Sequence, residues 1–125
     1  MLTLGLKNQK TVSVQEKDTA AVHGSGLLPV LATPALVAFM EGTAMESVQP
    51  YLAEGEGTVG TRMDVRHMAA TPVGGTVTCE SELVEIDRRR LVFSLRAYDG
   101  HGTTVGEGTH ERFIINNEKF MAKLK

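Results

Sequence analysis

An α+β fold is predicted, with an antiparallel sheet wrapped around one long helix. Three observations lead there. The stretch Leu31 to Leu52, LATPALVAFMEGTAMESVQPYL, holds a helical pattern for about four turns. From Val59 onward the pattern changes to alternation with period two, broken into four runs. The breaks between the last three runs are short and rich in Asp, Gly and Arg, which joins those runs as hairpins. With 125 residues, 42% of them hydrophobic, the chain can bury a core as a single domain, 1–125, and is too short for two.

In order, Gln9 to Gln15 alternates as a first strand, with Val12 and Val14 on one face. Its pairing is expected to extend through Ala20 to His23 before Gly24-Ser25-Gly26 breaks it. Thr33-Pro34 then reads as N-cap and first helical residue, since a Thr oxygen can accept from a free N–H and Pro has none to satisfy. Pro50 ends or kinks the helix before the turn Glu54-Gly55-Glu56-Gly57. In the second strand, Val59, Thr61, Met63, Val65 and His67 fall on one face, read as inward, and Gly60, Arg62, Asp64, Arg66 and Met68 on the other. Strands follow over Thr76 to Ile86, Leu91 to Tyr98 and Thr104 to Ile115. Asn116 or Asn117 caps a short last helix that docks through Phe120, Met121 and Leu124. This order is that of the hotdog architecture, although it also suits other α+β sheets with a helix on one face.

Composition narrows the function. A net charge of -2 with interspersed signs gives no footprint for nucleic acid or a membrane surface. The single cysteine, Cys79, excludes an intrachain disulfide, and the four histidines lack metal-site spacing, so no metal is expected. No apolar run approaches the ~18 residues that span a bilayer, and a cytoplasmic protein is expected.

Several residues carry possible chemistry. On the helical wheel Glu41 shares an apolar stripe with Val37, Ala38, Met45, Val48 and Leu52, and a carboxylate so placed must be paired, hydrogen-bonded or shifted in pKa. His67 ends the inward strand and is the natural partner for Glu41; a plain core histidine is the competing explanation. The Thr33 hydroxyl can hold a carbonyl, position water or attack, or simply cap the helix. A regular helix sets Thr33 and Glu41 about 12 Å apart along its axis, so a compact site needs a late or bent helix start, or Thr33 from a partner chain. Gly60 offers a bare backbone to a ligand, as do Gly106 and Gly108 in VGEGTHERF, where bulge or twist relief is the plainer reading. By alternation His110 and Arg112 share a face of that strand, and Arg112 suits a buried carboxylate or a phosphate. Arg88-Arg89-Arg90 could touch nucleotide phosphates but reads first as a solvated hairpin tip.

The run LATPALVAFMEGTAMESVQPYLAEGEGTVGTRMDVRHMAATPVGGTVT and the later VGEGTHERFIINNEKFMAKL resemble the fluoroacetyl-CoA thioesterase type of hotdog protein, from Leu31 to the C-terminus. The resemblance implies a homodimer with sites at the subunit interface, hydrolysing acyl-CoA without metal or cofactor other than the coenzyme A of the substrate. It implies catalytic roles for Thr33, Glu41 and His67, and substrate contacts for Gly60 and Arg112. One departure stands out. Gly24-Ser25-Gly26-Leu27-Leu28 carries no aromatic where the fluoroacetyl-selective enzyme has phenylalanines, so a different acyl preference is expected. The rival expectations are a non-catalytic acyl-CoA-binding or metabolite-sensing domain and, ranked lower, a hydratase.

Overall fold

The computed structural model describes residues 1–124. Five strands form one antiparallel sheet: β1 (Lys7–Ser13), β2 (Glu56–His67), β3 (Thr76–Asp87), β4 (Arg90–Asp99) and β5 (Thr104–Asn116), in the order β1-β3-β4-β5-β2. A short turn α1 (Ala20–His23), the long helix α2 (Thr33–Val48) and a last turn α3 (Asn117–Ala122) complete it. Helix α2 lies against the sheet as expected, and β1 and β2 are its two edges.

The helix buries a different stripe from the one expected. Leu36, Met40, Thr43, Ala44, Ser47 and Val48 face the sheet, where Phe93, Leu91, Leu83 and Val105 complete the core. Thr43 and Ser47 can lie there because each hydroxyl donates to a carbonyl one turn back, Thr43 to Phe39 and Ser47 to Ala44. Val37, Glu41 and Met45 are only half-buried and Ala38 is exposed. A helix apolar nearly all round has no single stripe for periodicity to choose.

Three other local expectations are corrected. Residues Ala20–His23 do not continue a strand: the Thr19 hydroxyl caps them as a helical turn, which Gly24 ends in the left-handed conformation at φ 75°. Phe120, Met121 and Leu124 do not dock within the chain and remain exposed, although Asn116 caps α3 by accepting from the Lys119 amide. In β2 the register slips between Gly60 and Arg62, a bulge at Thr61. The bulge turns Thr58 and Gly60 toward the helix on one side while Met63, Val65 and His67 face it on the other. Straight alternation had placed Gly60 outside and Thr61 inside; the Thr61 hydroxyl instead donates to the Glu111 carboxylate.

Cys79 is buried packing, its thiol pushed up to about 11 by that burial. Gly106 and Gly108 leave room for β2 and α2, since a Cβ there would strike the Arg66 carbonyl and Leu36, or the Asp64 carbonyl. Of the hairpin arginines, Arg89 pairs with Glu56 and Arg90 with Glu85 and Glu111.

Candidate active site

Two clusters of site residues lie on the helix side of β2. The first sits at the start of α2. Leu31 and Ala32 are buried, and their amides donate to the Thr71 and Asp18 carbonyls, each at 2.8 Å. This tether brings the helix entry over the end of β2. Ala32 is the N-cap and Thr33 the first helical residue, one place earlier than Thr33-Pro34 suggested. The Thr33 hydroxyl therefore does not cap. It lies 2.8 Å from His67 Nδ1, at a pocket of about 350 Å³ that Ala20, Ser25, Val30 and Ala69 help to line. His67 Nε2 is buried without a partner, and burial holds the ring below the ordinary imidazole range, offset in part by the Ala69 backbone.

The second cluster surrounds Glu41. Its Oε2 lies 3.7 Å from Arg112 Nη1 and 3.9 Å from His110 Nε2, with the side chain 40% exposed. Arg112 is fixed on the Thr58 side chain and backbone, through Nε to Oγ1 at 2.7 Å and Nη2 to the carbonyl at 3.0 Å. A Cβ built on Gly60 would fall 2.7 Å from Glu41 Oε2, 3.2 Å from His110 Cε1 and 3.3 Å from Arg112 Nη1. Glycine here leaves space for a side chain. Gly60→Ala should push the Glu41 carboxylate aside, because the flexible carboxylate end yields more easily than a strand. A crystal structure of the variant should show the carboxylate displaced with little change in melting temperature, and a carboxylate left in place would contradict this close packing.

Glu41 and His67 are thus not partners within one chain, as the sequence had suggested: His67 meets Thr33, and Glu41 meets Arg112. His110 is one of three histidines, with His23 and His101, whose scattered positions in the sequence point to no site. Its signal was the face it shares with Arg112 in THERF, where both are in fact buried.

Both buried histidines bind protons less readily folded than unfolded. Their contribution is therefore full above the unfolded value of about 6.5 and declines as the pH falls below it, by up to ~1.4 kcal/mol per pH unit for each fully excluded proton. The melting temperature should drop between pH 7 and pH 5, before the carboxylates titrate. A flat profile in differential scanning fluorimetry would contradict the burial of neutral rings.

A long central helix on an antiparallel sheet, with Thr33 set against His67 of β2 and Glu41 against Arg112 of β5, is the arrangement of a hotdog-fold thioesterase. The chain belongs to the fluoroacetyl-CoA-specific thioesterase family (FlK), whose sequence pattern matches residues 14–118. It is 46% identical over 96 residues to the fluoroacetyl-CoA thioesterase of Streptantibioticus cattleyicolor, covering 77% of this chain and 68% of that protein. The structure of the fluoroacetyl-CoA thioesterase FlK superposes with a TM-score of 0.92 at 37% identity, covering 99% of this chain and 96% of the other. A Thermus thermophilus thioesterase superfamily member matches with a TM-score of 0.90 at 26% identity, over 97% and 89% of the two chains.

Proposed function

We propose that this protein is an acyl-CoA thioesterase that hydrolyses a small acyl thioester to the free acid and CoA, and that it does so as a homodimer. The observation that carries the reading is the Thr33–His67 hydrogen bond at the mouth of a pocket, in a chain of this family. Variants of the relative FlK have been crystallised with acetyl-CoA and with fluoroacetate and CoA, which supports an acyl-CoA substrate here.

Hydrolysis needs an activated oxygen, a stabilised oxyanion and a proton for the leaving sulfur. In this reading Glu41 takes the proton of the attacking water, whose oxygen adds to the carbonyl carbon to give a tetrahedral oxyanion. Collapse of that oxyanion re-forms the carbonyl and breaks the C–S bond. The proton then returns to the CoA sulfur by way of His67. Thr33 binds the carbonyl, and the Gly60 N–H is the oxyanion donor. The reaction needs no cofactor beyond the CoA of the substrate.

The separation of the two clusters supports the dimer. Thr33 and Glu41 are eight residues apart on a regular helix, about 12 Å along its axis. Glu41 lies on the half-open stripe, and Gly60 and His67 lie on β2, whose outer edge is unpaired within the chain. Antiparallel pairing of β2 with its own copy brings the Gly60 end of one strand toward the His67 end of the other. One site is then built from Glu41, Gly60 and Arg112 of one protomer and Thr33 and His67 of the other.

The acyl preference is proposed to differ from fluoroacetyl. The segment over the Thr33 pocket carries Leu27 and Leu28, 93% and 65% exposed, and no aromatic. Free-thiol release from acetyl-, fluoroacetyl-, short branched, phenylacetyl- and benzoyl-CoA tests both points. The expected result is release from several of these with less than about tenfold preference for fluoroacetyl over acetyl, since a smaller pocket difference of this kind discriminates weakly. Strong fluoroacetyl selectivity would overturn the acyl proposal. Acyl-CoA binding with no release would make the protein a binding domain.

A further inference from the structure

We infer that His110 is a positioning residue that holds the Arg112 guanidinium off the Glu41 carboxylate and so keeps that carboxylate free to react. The inference rests on the reading of Glu41 as the reacting group.

His110 is 2% exposed and sits on β5 between Phe93 of β4 and Met63 of β2. Its Nδ1 lies 2.7 Å from the Arg62 carbonyl, at the bulge of β2. A carbonyl can only accept, so Nδ1 carries the hydrogen, and the neutral ring presents its lone pair at Nε2. Arg112 Nη1, 3.1 Å away, has only hydrogens to offer and donates to it. The ring thus works as a relay of fixed polarity: the bulge carbonyl sets the tautomer, and the tautomer supplies an acceptor to the guanidinium.

The consequence appears at Glu41. Arg112 spends Nε and Nη2 on Thr58 and Nη1 on His110, and every one of those bonds is 3.1 Å or shorter. The distance from Nη1 to Glu41 Oε2 is 3.7 Å, an ion pair without a hydrogen bond. An unrestrained arginine beside a carboxylate closes to a hydrogen-bonded, often bidentate pair, which would occupy the oxygens that must accept the proton of water. His110 competes for that donor.

Two substitutions separate the halves of the relay. His110→Asn keeps an N–H near the Nδ1 position for the Arg62 carbonyl and removes the acceptor for Arg112. His110→Gln can place its amide oxygen near the Nε2 position. Crystal structures of both variants are the primary readout. In His110→Asn the guanidinium should close to within about 3 Å of a Glu41 oxygen, and in His110→Gln it should stay at its present distance. With the best acyl-CoA substrate, His110→Asn should lose kcat by about 10- to 100-fold at little changed KM, and His110→Gln should recover most of that loss. If His110→Asn does not fold, His110→Met, which fills the site without an accepting nitrogen, takes its place. An Arg112 that keeps its distance from Glu41 in the acceptor-less variant overturns the inference whatever the activity. A guanidinium that closes while wild-type protein releases no thiol would leave the positioning intact and remove the hydrolase reading instead.

Discussion

Replacing Glu41 with Gln is expected to lower the rate of thiol release by about 100- to 10,000-fold, the range spanned by removal of a general base. The substitution keeps the size of the side chain and removes its charge and basicity. It should not disturb folding, because the side chain is 40% exposed and its nearest partners, the Arg112 guanidinium and the neutral His110 ring, stand at 3.7 and 3.9 Å, outside hydrogen-bond range. A normal melting temperature with kcat reduced this far therefore isolates chemistry from structure. Turnover within a few-fold of wild type would take Glu41 out of the mechanism.

His67→Ala should cost a similar factor for a different reason. The imidazole meets the Thr33 hydroxyl at 2.8 Å through one nitrogen and keeps the other buried without a partner. Removing the ring releases Thr33 and deletes the proposed proton carrier. It also removes an unsatisfied buried polar atom, so stability should hold or rise. The two inactive variants then test the assembly together. Mixed and allowed to exchange subunits, Glu41→Gln and His67→Ala chains form hybrids in which one of the two shared sites regains an intact Glu41 and an intact His67. Up to about a quarter of the wild-type rate should return. No recovery, with exchange verified by mass spectrometry, would place each site within a single chain.

Much of the candidate site was legible in the residues, but its pairings were not. Thr33, Glu41, His67, Gly60 and Arg112 were each marked by side-chain chemistry out of place in a helix or strand, or by resemblance to a family. Which touched which depended on two features that leave no trace in periodicity. One is the bulge at Thr61, a single extra residue that reverses the faces of half a strand. The other is the burial of α2, where hydroxyls satisfied by the preceding turn allow Thr43 and Ser47 into the core while Val37 and Met45 stay half-open. The strand runs and hairpins after the helix, with their wide separation in hydrophobic pattern, came out within a few residues of the observed limits. The Ala20–His23 turn did not, because a Thr cap and a left-handed glycine decide it locally.

The bulge also constrains how this protein can vary over evolutionary time. Gly60 and His67 are an odd number of residues apart yet serve the same side of the sheet, which a regular strand forbids. A one-residue insertion or deletion between them would turn one of the two away, so lineages that keep both must keep the interval and the irregularity as one inherited unit. The segments Ala20 to Val30 and Ala69 to Gly75 carry no such parity. Length differences among descendants should accumulate there, leaving acyl preference free to diverge while the spacing along β2 stays fixed.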